Sequence, residues 1–337
     1  MSDISAIFDR QGQACVALGS PFMGRLMTLC ATRLRPGTRV TDLLFNWPGD
    51  PAPNADNAPL RLAGGLHALR LNDLALTSVY PPHDVSDEKL WDAISETLNT
   101  HEAHILAWLA QPPQTNEVRR IAGILPALAV VASRDPRPID LLELGCSGGL
   151  NLHADHFRLI LPEGSIGRDG AGVQHTPEWK GEMPPRLLPT VKRRAGVDLN
   201  PLDPRHENDR TRLLAYVWAD QRDRIARTQA TMKIATNNPA EIDAGDAGHW
   251  LETQLARPSE GRLRVVMHTV AWQYFSPETA QRAQAALRAS NNVVRLSMEA
   301  DGGKGAALTL TNYPDEVTET LGRIDFHGRW VDWVHTS

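Results

Sequence analysis

Residues 139 to 151, Ile-Asp-Leu-Leu-Glu-Leu-Gly-Cys-Ser-Gly-Gly-Leu-Asn, constrain the fold of this chain more than any other stretch. Ile139 to Leu144 has the length and apolarity of a buried strand, and it runs through an acid, Glu143, straight into a glycine-rich turn. Gly145, Gly148 and Gly149 permit backbone angles and close approaches that a side chain would block. A helix starting behind such a turn presents unpaired N–H groups and its positive dipole end, which suits a ligand carrying carboxylate or phosphate.

Two chemistries share these letters. Gly145-Cys146-Ser147-Gly148-Gly149 matches Gly-x-Ser-x-Gly, the elbow that presents the nucleophile of α/β-hydrolases, with Ser147 as the nucleophile. Read with the acid in front, Glu143-x-Gly145-x-Ser147-x-Gly149 resembles the first motif of class I S-adenosylmethionine-dependent methyltransferases, serine replacing the middle glycine. Glu143 then faces the methionine end of that cofactor. Context favours the second reading, because residues 1 to 135 read as mostly helical and carry no His-Gly-Gly-Gly oxyanion segment. Downstream, Ala195 to Pro201 is a short apolar strand ending in Asp198, where a doubly wound sheet places the acid that holds ribose hydroxyls. Asp198 has an alternative reading as the N-cap of a helix starting near Pro204.

The 337 residues, 42% of them hydrophobic, are enough for two domains. A formal charge of −5 gives no general grip on nucleic acid or anionic lipid, so a small-molecule or protein acceptor is the expected partner. The three cysteines lack Cys-x-x-Cys spacing and the N-terminus lacks a secretory pattern, from which a cytoplasmic location is expected. No apolar run approaches the roughly 20 residues of a membrane span. No metal site is expected, since His101 and His104 are the only close helical pair and read as an exposed face. The oligomeric state is not written in the sequence.

Helical spacing marks residues 6 to 18, 21 to 33, 57 to 71, 87 to 98, 101 to 109 and 118 to 133, the last with Pro126 inside. Residues 134 to 138 read as a linker, giving a helical N-terminal domain of 1–135 and an α/β domain of 136–337. Within the latter, a Gly- and Pro-rich insert of about 162–194 reads as a lid or substrate wall. One long helix is expected over 208 to 235, a weak strand and turn over 240 to 247, and strands at 263 to 270 and 293 to 299. A terminal hairpin is expected to pair 306 to 312 with 328 to 334. Asp246 is a candidate for an adenine amino group or a plain turn acid. His268, Trp272 and Gln273 follow the strongest β run, at the strand end that lines the ligand crevice of such sheets. His268 is thus a candidate general base or, alternatively, a satisfied core histidine; Trp272 and Tyr274 are stacking platforms or core filler.

The chain resembles the bacterial family called domain of unknown function 2332. The likeness is carried by Glu143 to Leu152, Gly196 to Asp203, Tyr216 to Trp218 with Asp220 to Arg224, Val266 to Tyr274, Phe326-His327-Gly328 and Tyr80-Pro81. It implies an α/β fold: a Rossmann-like, methyltransferase-type doubly wound sheet with an N-terminal helical domain. The family carries no assigned reaction; the methyltransferase-like first motif makes S-adenosylmethionine the expected cofactor, held by Glu143, Gly145, Ser147, Gly149, Asp198 and Asp246. His268, Trp272, Asn151 and Glu299 are the residues expected to face the acceptor. The departure is Ser147 itself, whose hydroxyl crowds the cofactor or bonds to it. No Asn-Pro-Pro-Tyr segment indicates an amino acceptor. A serine hydrolase and a non-catalytic nucleotide-binding protein are the alternatives; a dinucleotide oxidoreductase lacks its Gly-x-Gly-x-x-Gly fingerprint.

Overall fold

The computed structural model describes residues 3–335. The chain opens with six helices, α1 (Ile4–Ala17), α2 (Pro21–Arg33), α3 (Arg39–Phe45), α4 (Ala58–Leu71), α5 (Asp87–Thr100) and α6 (Glu102–Leu109). The helix α7 (Ile121–Arg134) and the strands β1 (Ile139–Leu144), β2 (Arg158–Leu161), β3 (Gly164–Gly167), β4 (Gln174–His175), β5 (Glu178–Gly181) and β6 (Val191–Asp198) follow. After α8 (Glu207–Ala215) and α9 (Arg222–Asn237) come β7 (Glu241–Ala244), α10 (Ala247–Ala256), β8 (Leu263–Thr269) and α11 (Pro277–Arg288). Four strands end the chain: β9 (Val293–Ala300), β10 (Ala306–Tyr313), β11 (Val317–Ile324) and β12 (Trp330–Trp333).

Two compact units result, and their borders differ from the expected linker. One comprises residues 1–115 and 206–226, the other 116–205 and 227–337, so α9 crosses the division. The expected border at 135 fails because α7 is apolar nearly all round, with twelve buried residues, and packs on the sheet strands rather than on the earlier helices. The single long helix expected over 208 to 235 is interrupted between α8 and α9, where Trp218 and Ala219 join the helical core around Leu26, Leu62, Leu66 and Ile94. Within that unit His104 is half-buried with Nε2 bound to Gly65 O at 3.1 Å, so the His101/His104 pair is not the exposed face expected.

The second unit is α/β and is built on a mostly parallel nine-stranded sheet, in the order β5-β12-β11-β10-β9-β8-β1-β6-β7. From β1 the chain reaches β6 and β7 on one side and then β8 and β9 on the other, which makes the carboxyl ends of β1 and β8 a topological switch point. Side chains alternate across a strand. Leu142, Leu144, Ala195, Val197, Val266 and Val293 therefore share one face, where they form a core with Trp250 and Leu251 of α10 and Ala283 and Leu287 of α11. Glu143, Gly196, Asp198 and Thr269 fall on the opposite face by the same alternation, with Glu143 registered on Gly196 and Met267.

Beyond β9 the sheet continues as an antiparallel meander. The expected pairing of 306 to 312 with 328 to 334 is replaced by β11 lying between β10 and β12. The insert is not suspended over the sheet. It folds as a small sheet, β3-β2-β4, then adds β5 in parallel to the outer edge strand β12, which satisfies that strand's unpaired backbone groups. No helix among the described residues is long and apolar enough to cross a membrane.

Candidate functional site

The turn after β1 is held by main-chain bonds to β6: the Gly145 and Cys146 amides both donate to Val197 O, at 2.9 and 3.1 Å. Gly145 adopts φ +69°, and a Cβ there would lie 2.7 Å from the Ala271 side chain, so only glycine fits. Ser147 also takes a positive φ, +52°, a conformation that costs energy in a residue with a side chain. Its amide is aimed at Asp198, whose Oδ2 accepts it at 2.8 Å while Oδ1 accepts the Asn200 amide at 2.9 Å. Asp198 is thus the clasp of the glycine loop, and it is not an N-cap, since α8 starts later, behind His206.

Three side chains on this face are buried with bonds unmade. Glu143 is 1% exposed, Asn151 1% and Ser147 6%, and Glu143 Oε2, Ser147 Oγ and both amide atoms of Asn151 have no hydrogen-bond partner among the described residues. Buried polar groups are nearly always bonded, so orphans gathered around one loop make it the candidate site. Burial pushes the Glu143 carboxyl well above the ordinary range; Arg120 opposes this, Asp198 reinforces it, and Asn151 beside it works against it. A neutral carboxyl can both donate and accept.

Around the loop stands a group of residues the sequence did not single out. Asn116 Oδ1 accepts the Leu150 amide at 3.0 Å, and Arg120 donates to Thr269 O at 2.8 Å and to Phe326 O at 3.1 Å. Residues 116 to 120 looked like the head of one more core helix, which hid them. The Phe326-His327-Gly328 segment was the available signal.

The residues expected to face the acceptor divide between the two faces. Asn151 lies with Glu143, whereas His268, Arg295 and Glu299 lie on the α11 face by strand alternation. His268 is fully buried. Its Nδ1–H donates to Glu299 Oε1 at 2.7 Å, and its Nε2 accepts from Arg295 Nε at 2.8 Å; a guanidinium can only donate, which fixes the tautomer. Burial drives the imidazole pKa down, and with both nitrogens engaged His268 is the satisfied core histidine, not a base open to substrate. Glu299 Oε1 also accepts the Ala271 and Trp272 amides at 3.0 and 3.1 Å. Burial alone would raise its pKa, but these bonds and His268 hold the carboxyl below the usual range. Trp272 is half-buried against that core, its ring 4.0 Å from the Arg295 guanidinium carbon. The cluster fixes the turn after β8, in which Val270 takes φ +52°, a strained angle for a β-branched residue, and which delivers Ala271 onto Gly145.

Asp246 caps α10, accepting the His249 amide at 2.9 Å and the Thr279 hydroxyl. Both its oxygens serve the α10–α11 pair, which gives it the turn-acid role. Gly149, at φ +65°, is packed against Ile242. At the other end of the sheet lies a cavity of about 160 Å³ lined by Arg134, Arg137, Leu263, Asn292 and Tyr313 among others. Its arginines are already paired with Glu319 and Asp135.

The match to the family model described as "Uncharacterized protein conserved in bacteria (DUF2332)" covers residues 5–333, and the chain belongs to this family. No curated protein and no solved structure matches it.

Proposed function

We propose that the chain is an S-adenosylmethionine-dependent methyltransferase of Rossmann-like fold that acts on a small-molecule or protein acceptor. The supporting observation is the group of orphaned, buried polar atoms on Glu143, Ser147 and Asn151, set beside Asp198 at a topological switch point. These groups suit a ligand with an amino-acid end and a ribose: Glu143 and Asn151 offer donors and acceptors for the first, and Asp198 an acceptor for ribose hydroxyls. When bound, such a cofactor supplies an electrophilic methyl group; the protein contributes position and the exclusion of water.

The test is calorimetric titration of the full chain with S-adenosylmethionine, S-adenosylhomocysteine and NAD. Micromolar binding of the first two, weakened at least roughly tenfold by Glu143→Gln or Asp198→Ala in variants that keep their melting temperature, supports the reading; each tenfold step is about 1.4 kcal/mol. Absence of binding by either sulfur compound overturns it.

One observation favours a serine hydrolase instead, namely the positive φ of Ser147 behind a strand. Its Oγ, however, has no hydrogen-bond partner among the described residues, and no histidine there to activate it. Covalent labelling of Ser147 by a fluorophosphonate would reverse the preference. Binding without turnover on any acceptor would leave a nucleotide-binding protein.

A further inference from the structure

The turn between β11 and β12 carries a second histidine. Because β9 runs parallel to β8 and the strands after it alternate in direction, this turn stands at the same end of the sheet as Glu143 and Asp198. Arg120 fastens it there, spanning from Thr269 O at the end of β8 to Phe326 O. Its bond to Thr269 Oγ1, at 3.2 Å, also places the link on the Glu143 face, since Thr269 points to that side. Backbone contact is close as well: a Cβ on Gly328 would fall 2.1 Å from Arg119 O, and Gly328 has φ +68°, so no other residue fits.

His327 sits between these two anchors. Its Nδ1 is 3.5 Å from Glu117 Oε2. The Glu117 side chain is fully buried, and its Oε1 receives the Arg119 amide at 3.0 Å and Arg119 Nε at 3.4 Å, so the carboxylate is fixed in place with one oxygen turned to the imidazole. The His327 amide is held by Asp325 Oδ1 at 3.0 Å, and Asp325 in turn is bound by Arg329. His175 of the insert closes the far side through Gly328 O at 2.6 Å. The charged and titratable groups facing the ring are thus Glu117 and Arg119 from the 116–120 segment, Asp325 and Arg329 from its own turn, and His175. The imidazole keeps 25% exposure, and Nε2 has no hydrogen-bond partner among the described residues. The carboxylate stands 3.5 Å from Nδ1 without a hydrogen bond between them, so it acts on the ring through its charge, and with an open Nε2 this is an arrangement that can orient a general base. His268 lacks the open nitrogen.

We propose that His327 is the proton acceptor of the crevice, with Glu117 as the residue that positions it. The proposal rests on the methyl-transfer reading. An acceptor group X–H, with X oxygen or nitrogen, gives its proton to Nε2 and its bonding pair to the new X–CH3 bond, while the pair of the broken S–CH3 bond returns to the sulfur of the sulfonium donor. The imidazolium then releases the proton to water.

The experiment measures carbethoxylation of each histidine in the full chain by diethylpyrocarbonate, at one pH, resolved by peptide mass spectrometry. Exposed His83 and His249 serve as internal references. His327 is expected to react readily in the native protein. In Glu117→Gln its rate should fall at least roughly threefold, because the carboxylate charge beside Nδ1, which favours a proton there and the lone pair on Nε2, is gone. Glu117→Asp should restore part of the rate, and melting temperatures should show that all variants fold. Saturating S-adenosylhomocysteine should slow His327 and leave His83 unchanged. An unreactive His327, or a rate indifferent to Glu117, overturns the proposal. So does calorimetric binding of S-adenosylhomocysteine without protection of His327. Failure of that compound to bind sinks the cofactor reading instead, and the Glu117 dependence still decides whether the pair works as a base.

Discussion

On one face of the sheet His268, Arg295 and Glu299 bond to each other and to the turn after β8, with only Glu299 Oε2 left over; on the other, Glu143, Ser147 and Asn151 are more deeply buried and leave most of their side-chain bonds unmade among the described residues. The clusters are neighbours, joined where Ala271 covers Gly145. A closed network holds a backbone in a strained shape, as at Val270, and gains stability from doing so. An open one costs stability until a ligand completes it. Burial and polarity alone do not distinguish the two clusters, whereas the number of bonds completed does.

Breaking the closed cluster should have the largest effect. Glu299→Ala strips an acceptor from His268, Ala271 and Trp272 at once and should destabilise by about 3–5 kcal/mol in urea unfolding, as loss of one partner of a buried pair does. A loss under about 1 kcal/mol would show that the network is not closed. Gly145→Ala, with a positive φ and a 2.7 Å clash to Ala271, should cost about 1–3 kcal/mol and couple non-additively to changes in the turn after β8.

Glu143→Gln sharpens the contrast from the other side. It removes a carboxyl whose burial is unfavourable, so stability should hold or rise by about 1 kcal/mol while, on the proposed reading, affinity for S-adenosylhomocysteine falls. The sign of the pH dependence follows. A raised folded pKa means that Glu143 contributes stability below its unfolded value near 4.5 and loses it as pH rises through the folded pKa, so the advantage of Glu143→Gln should widen with increasing pH. Histidines act in the opposite sense. Burial lowers the pKa of His67 and His175 to about 4 and of His153 to about 3, so the stability present above 6.5 should drain away as pH falls toward those values. Thermal melts from pH 8 to 4 measure both trends. Ser147→Ala should matter least, changing stability by no more than about 0.5 kcal/mol because its hydroxyl has no bond to lose.

Much of the second unit was readable in the chain. β1, its glycine turn and β8 are continuous apolar runs bounded by breakers, and Asp198 ends a strand as expected. β11, Val-Thr-Glu-Thr-Leu-Gly-Arg-Ile, was missed because an outer strand with a polar side carries too few apolar residues to stand out. The insert was legible as an oddity of length, but its pairing with β12 depends on an edge that exists only once the sheet has formed. His268 and His327 show the limit most directly. Both follow or join β elements, and nothing local says that one has both nitrogens hydrogen-bonded while the other has neither bonded among the described residues.

The sequence by itself determined the β1 strand with its glycine turn and the identity of Glu143, Gly145 and Asp198, since periodicity and backbone freedom are local properties; the helix expected behind the turn is only a short 3-10 segment, Leu150–His156, kinked at His153. Which residues share a face, which bonds are completed, where the two units divide and how Glu117, Arg120 and His327 meet were decided by the tertiary structure alone. Hydrogen bonding and burial are relations between distant segments, and a one-residue change of strand parity moves a side chain from one face of the sheet to the other.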